Sequence, residues 1–345
     1  MAYSTISKSS AYMNPKKYSG TGSTQAITGV GFQPDFSWIK NASSGSNYDH
    51  HLYDAIRGAT KSLASNNADA ETTKATGLTA FGTDGFTVGA DVGVNSNGST
   101  LISWNWKANG SGSTNGDGSI TTTATSVNTA GGFSICQWTG TGSNATIGHG
   151  LGVAPKMIIV KNISTSDSWN VYHESIGNDK RLFLDTTGGE SSTSDAWNSA
   201  SPTTSVFSIG TNTGTNGSGN TLIAYAFAEI PGFSKIGEYA GNANTNGTFI
   251  YTGFKPSFLL VKQYSSSGED WNIYDSKRNL DNSTDIALFP NLNNAEATKS
   301  GGMNFLSNGI KMTGTDGAFN TSQNYIYMAF GQPIVSTNGD IATAR

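Results

Sequence analysis

The chain has 345 residues, of which only 13% are charged, with a net charge of −4 and one cysteine. Without a basic run it offers nothing to track phosphates, so no nucleic-acid partner is expected. Every apolar stretch falls short of the ~18 residues that span a bilayer, so no membrane insertion is expected either. The lone thiol, Cys136, allows no internal disulfide, and its setting in Phe133-Ser-Ile-Cys-Gln-Trp138 reads as a buried strand position. The 7 Trp, 13 Tyr and 16 Phe supply enough bulk to pack a core under a surface of Ser, Thr, Asn and Gly.

The opening Met1-Ala-Tyr-Ser-Thr-Ile has no charged segment followed by a long apolar one, so no secretory leader is expected there. From residue 18 onward the chain repeats itself. Tyr18-Ser-Gly-Thr-Gly, Trp138-Thr-Gly-Thr-Gly and the more diverged Tyr239-Ala-Gly-Asn each lead to a proline (Pro34, Pro155, Pro256). An apolar run closed by a lysine follows, ending at Lys40, Lys161 and Lys262. A Tyr (Tyr53, Tyr172, Tyr274), a Glu (Glu71, Glu190, Glu296) and an apolar strand ending in an aromatic (Trp106, Phe227, Phe330) come next. From proline to final aromatic the spans are 72, 72 and 74 positions, so one module has been copied twice.

Helical periodicity is nearly absent, and the short β-branched and aromatic runs bounded by Gly, Asn, Asp and Ser read as strands. In the second copy seven are predicted, at 133–138, 145–149, 156–161, 169–174, 181–185, 206–209 and 221–227. Asp84-Gly85 and Asn308-Gly309 read as two-residue hairpin turns with positive φ angles. The lysine-ended runs are apolar throughout, as expected of strands covered on both faces. The predicted fold is all-β: three tandem β-sandwich (jelly-roll or lectin-like) repeats of about 100 residues each. The boundaries are an N-terminal arm plus repeat 1 over 1–110, a linker over 111–131, repeat 2 over 132–231, repeat 3 over 232–335 and a loose tail over 336–345. Residues 1–10 are the candidate docking arm.

Lys40 with Glu71, Lys161 with Glu190 and Lys262 with Glu296 form the charged pair kept in every copy. They read as an ammonium at the end of a buried strand reaching a carboxylate on a covering loop, with a ligand-gripping site as the alternative. Tyr53, Trp169, Asn170, Tyr172, Trp271, Asn272 and Tyr274 are candidate ligand-binding residues: on strands they would share a face suited to sugars, or else pack in the core, the favoured reading. His50-His51 with Asp54 is the best metal-like cluster, but adjacent histidines on a strand point apart, so no metal is expected. No pair of carboxylates has a spacing that marks glycoside hydrolysis, and no Gly-x-Ser-x-Gly elbow is present, so neither an enzyme nor a cofactor is expected.

The repeated Thr-Gly-Thr-Gly-Ser-x-Ala loop, the segment Gly150-Leu-Gly-Val-Ala-Pro-Lys-Met-Ile-Ile-Val-Lys-Asn162 and Ala226-Phe-Ala-Glu-Ile-Pro-Gly-Phe-Ser-Lys235 resemble a β-rich repeat of virion proteins from tailed, especially marine, bacteriophages. The resemblance runs over 1–335 and implies a non-enzymatic structural protein of the virion, made in the host cytoplasm. A tail fibre or receptor-binding component contacting host surface polysaccharide is the first expectation. A capsid decoration or head-fibre protein is the alternative, and a polysaccharide depolymerase the third. Other virion proteins would be its partners and a homotrimer its assembly. Copy three departs from the pattern, since Phe249-Ile-Tyr-Thr-Gly-Phe254 replaces the glycine-rich loop.

Overall fold

The computed structural model describes residues 4–43, 47–279 and 282–335, and these are nearly all antiparallel strand. Each third of the chain builds a main sheet in one strand order. In the first module the order is Met13–Ser19, Thr100–Trp106, Phe36–Asn41, His51–Asp54. The second runs Phe133–Thr139, Thr221–Phe227, Met157–Asn162, Asn170–His173, and the third Ser234–Ala240, Asn324–Pro333, Phe254–Gln263, Asn272–Asp275. Register is kept as well, because Lys40 lies opposite Ile102, Lys161 opposite Ile223 and Lys262 opposite Ile326. All seven strands expected in the second copy are present, with ends shifted by a residue or two.

A smaller sheet covers the outer face of each main sheet. Gln25–Thr28, Gly85–Val88 and Leu78–Gly82 form the first. Ala145–Gly148 with Val206–Ile209 form the second. Phe249–Tyr251, Gly309–Met312, Ala297–Leu306 and Thr284–Ala287 form the third. Each two-layer unit encloses its own outer core, around Tyr53, Tyr172 and Tyr274 respectively.

The inner faces of the three main sheets meet in a fourth, shared core. Side chains alternate along a strand, so each lysine-ended run feeds two cores at once. Met157 and Ile159 face the shared core and Ile158 and Val160 the outer one; Phe258 and Leu260 divide from Leu259 and Val261 in the same way. That double burial is why these runs are apolar without alternation. At the centre the Trp106 ring lies 5.3 Å from Phe36, 5.4 Å from Phe258, 5.9 Å from Phe330 and 6.0 Å from Phe227, so it touches rings of all three modules. The modules are therefore three sides of one body rather than beads on a string.

Three expectations need correction. The stretch 111–131 is not a free linker, since Ala124–Asn128 pairs along Phe133–Thr139 as an additional edge strand. Its Thr125 and Ser126 are buried there. The amino-terminal arm is not free for docking from Ser4 onward: Ile6 is buried in the shared core, and Ser9 donates through its hydroxyl to Gln332 Oε1 at 2.8 Å. That contact ties the start of module one to the last strand of module three. The hairpins exist, but Thr83-Asp84 and Ser307-Asn308 are their central residues, with Gly82 opposite Gly85 and Leu306 opposite Gly309. Gly85 and Gly309 are required by close approach, because a side chain at either would run into the carbonyl of Ile27 or Ile250 on the neighbouring strand. The expected tail, 336–345, lies outside the described residues.

Candidate functional site

The repeated lysines do not pair with the repeated glutamates. Lys161 Nζ donates to the carbonyls of Asn162 (2.8 Å) and Ala68 (3.1 Å), the latter in module one. Lys262 Nζ reaches Glu269 O (2.5 Å) and Thr187 O (3.2 Å) of module two, and Lys40 Nζ reaches Asn41 O (2.8 Å) and Asn293 O (3.2 Å) of module three. Each lysine thus holds a loop of the preceding module, and the series closes on itself. The glutamates end those same loops. The backbone N–H of Glu71 donates to Ile163 O, that of Glu190 to Tyr264 O and that of Glu296 to Ala42 O. Their carboxylates turn back to their own modules, on Arg57 (3.4 Å), Lys180 (3.3 Å) and Arg278 (3.3 Å).

The pairing expected from sequence fails because the partners belong to different modules and meet through backbone. A buried carbonyl needs a donor wherever a loop leaves its sheet, and the ammonium supplies it. Burial lowers the pKa of Lys40, Lys161 and Lys262 alike to about 8. These three side chains are fastenings between modules, with no room for a ligand.

Tyr53, Trp169, Asn170, Tyr172, Trp271, Asn272 and Tyr274 are all buried, so they do not form an exposed sugar-binding face. Strand alternation also divides them. Trp169 and Trp271 point into the shared core, where their indole N–H groups donate to Ala64 O (2.8 Å) and Phe183 O (2.9 Å) of the preceding module. Tyr53, Tyr172 and Tyr274 point the other way, into the three outer cores.

His50 stands where the other copies have tryptophan, stacked on Trp104 and accepting from Trp38 Nε1 at 2.9 Å. His51 faces the opposite side, 3.1 Å from Ser62 Oγ through Nδ1. Among the described residues no three His, Cys, Asp or Glu side chains are grouped to hold a metal ion. Cys136 is buried, which pushes its thiol up to about 11 and leaves it inert.

A set of residues that sequence reading missed explains the repeated Gly/Thr/Asn loops. Asn95 Oδ1 accepts from Thr21 N at 2.9 Å, while its amide donates to Ser23 O (2.6 Å) and Gly89 O (2.7 Å). Asn216 does the same with Thr141, Ser143 and Gly210, and Asn320 with Asn242, Asn244 and Gly314. One buried amide therefore clasps each loop. The signal is an Asn 74, 75 and 78 positions after Thr21, Thr141 and Asn242 of the three loops, legible only once the loops are known to fold back.

The accessible surface offers two cavities of note. One, of about 170 Å³, lies beside His51, Ser62, Asp69 and Lys74. Burial lowers His51 to about 4, so the ring is neutral, and Ser62 is itself buried. The nearby Asp91 carboxylate is engaged by Gly93 N at 2.9 Å and by Lys74 at 3.8 Å. The other cavity, of about 360 Å³, opens where modules two and three meet, between Tyr251, Gly253, Pro231, Glu229 and Lys235. Glu229 joins Lys235 at 2.6 Å and Lys156 at 2.9 Å, and Lys156 also meets Glu174 at 2.9 Å. Phe249 and Tyr251 stand outward on one strand and are 44% and 53% exposed, unlike nearly every other large apolar side chain.

Residues 8–333 match the model of a family described as a domain of unknown function, DUF7483, and the chain belongs to that family. The match spans all three modules together. No curated protein and no solved structure matches the chain. No helix among the described residues is long and apolar enough to cross a membrane.

Proposed function

We propose that the protein is a non-enzymatic structural component of a tailed-bacteriophage virion, mounted as a tail fibre or receptor-binding part that meets host surface glycans. The observation that carries this reading is the closed ring of lysine and backbone fastenings: three modules hold one another around a shared aromatic core. Such a body suits a part that must keep its shape under mechanical load. Its buried titratable groups serve packing, and its low charge suits a particle working in salt water, where charge reaches only a few ångströms.

The resemblance implied a homotrimer. The three modules of one chain bury their inner apolar faces against one another, which supports the reading that a single chain is itself the three-fold unit. A capsid decoration protein is the second reading, favoured by the compact ring and by the want of an extended shaft among the described residues. Gold-labelled antibody on purified particles, with copy number per particle by quantitative mass spectrometry, tests both. Label at the tail with a few to a few dozen copies supports the fibre reading, and label over the head with hundreds of copies supports decoration. Absence of the protein from purified particles removes both.

A further inference from the structure

We propose that the cavity walled by Tyr251 at the junction of modules two and three is a binding site for a neutral saccharide. The inference rests on the glycan-contact reading above and gives that reading a place on the molecule.

The three small sheets can be compared position by position, because Ile27, Ile147 and Ile250 occupy one register, opposite Phe86, Phe207 and Ile310. Their outward neighbours are Ala26 and Thr28 in module one, Thr146 and Gly148 in module two, and Phe249 and Tyr251 in module three. Two aromatics thus occur in solvent at positions where module one carries small exposed residues and module two carries small ones covered by its 115–120 segment. Packing supplies part of the reason for Phe249, whose ring covers Gly309, as the 2.8 Å approach of its edge to a methyl group placed there indicates. Gly85, at the same place in module one, meets the Ile27 backbone and Val30 Cγ2 rather than a ring, so an aromatic cover is not required by the fold.

Tyr251 forms a wall of the 360 Å³ cavity, and that volume lies within the range of small-molecule sites. Opposite it lie Glu229 and Lys235, joined at 2.6 Å. With Lys156 and Glu174 the network carries two positive and two negative charges, so the site has no net charge to select an anion or a cation. Its ammonium groups have three donors each and its carboxylates about four acceptor sites each, more than the ion pairs consume. An aromatic face beside fixed, charge-balanced donors and acceptors matches a pyranose ring, which has an apolar C–H face and a rim of hydroxyls. A purely apolar partner would leave the ion network desolvated and is disfavoured.

The test uses the full chain on an array of neutral and anionic oligosaccharides, followed by titration calorimetry with the best soluble neutral hit. Neutral oligosaccharides are expected to bind, and Tyr251→Ala to weaken binding about tenfold or more, the change that accompanies loss of one aromatic stacking contact of ~1.4 kcal/mol. Lys235→Met is expected to weaken it as well, while Thr28→Ala at the matching place in module one leaves it unchanged. Both mutated side chains are partly exposed, so unchanged melting temperatures will show that the variants fold. The proposal falls if no neutral oligosaccharide binds at millimolar concentration, if only anionic ones bind, or if Tyr251→Ala binds as the parent does. It falls equally if the parent self-associates and Tyr251→Ala abolishes that, since the patch would then be a contact between copies. Particle labelling is independent of these outcomes, so a virion protein without saccharide binding would sink this site alone.

Discussion

The Tyr225 hydroxyl donates to Asp54 Oδ2 at 2.8 Å, across the seam between the second module and the first. Trp104 makes the corresponding contact from the first module to the third, with its indole N–H 3.3 Å from Asp275 Oδ2. Both acids are also gripped by an arginine three residues on, Arg57 at 2.5 Å and Arg278 at 2.7 Å. At the remaining seam the same strand position is Met328, which has no proton to donate. There the acid is replaced by His173, whose Nε2 lies 3.5 Å from Tyr327 O, and the arginine by Ile176. A buried carboxylate needs donors on every side, so the acid and its arginine occur only where the neighbouring module brings one. The seams differ in composition for that reason while the geometry stays common.

Tyr225→Phe should therefore destabilise the fold by roughly 1.5–3 kcal/mol, the range for a hydrogen bond to a charged group. Chemical denaturation monitored by tryptophan fluorescence measures this. A loss below about 0.5 kcal/mol would mean that Arg57 alone satisfies Asp54.

Lys161→Met removes the donor shared by the Asn162 and Ala68 carbonyls and should lower stability by about 1–3 kcal/mol. Glu190→Gln should change it by less than about 1 kcal/mol, because the Glu190–Lys180 pair is partly exposed. Equal losses in the two variants would restore the Lys–Glu pairing that the repeat pattern suggests.

Asn216→Ala removes the clasp on the Thr141–Ser143 loop and leaves the carbonyls of Ser143 and Gly210 without their donor. A loss of about 2–4 kcal/mol is expected for several buried hydrogen bonds lost together. Hydrogen exchange should rise first in residues 139–145; protection unchanged there would show that the loop holds itself.

The shared core predicts one cooperative unfolding transition by calorimetry. It also predicts that residues 132–231 expressed alone will not fold, since Ile135, Ile159, Tyr225 and Phe227 would lie open to water. A dispersed amide spectrum from that fragment would show independent modules.

Burial holds His50, His51, His149 and His173 below the ordinary histidine value, His51 and His173 at about 4. As pH falls the unfolded chain, titrating near 6.5, takes up protons before the folded one does. The histidine contribution to stability should therefore be full above about pH 6.5 and decline toward pH 4, where the loss levels off for His51 and His173. Asp35 and Asp185, raised by burial, act in the opposite sense in the acid range. Melting temperatures across this range should fall less steeply in His173→Gln than in the parent. Identical slopes would mean that His173 titrates normally.

Strand positions were readable because alternation and turn residues are local properties. The run 157–161 announced burial on both faces, and the Met157–Asn162 strand lies between two cores for that reason. The same locality misled wherever contacts cross modules. Lys161 and Glu190 recur together, so they read as a pair, yet each bonds to a different neighbour. Trp169 and Tyr172 read as one face because their motif recurs, although a spacing of three on a strand sends them to opposite sides. Ser113–Thr125 pairing was hidden under a Gly-rich composition that also describes a linker.

Repeat, strand and all-β character were thus set by the order of residues alone, because each depends on spacing along the chain. Whether three such units stand apart or close upon one another depends on surfaces that meet after hundreds of intervening positions. Trp106, ringed by aromatics from every module, and the lysines that fasten each module to the one before, acquire their roles only in that closure. No local pattern encodes which buried face finds which, since the driving force is removal of apolar area from water and has no direction of its own.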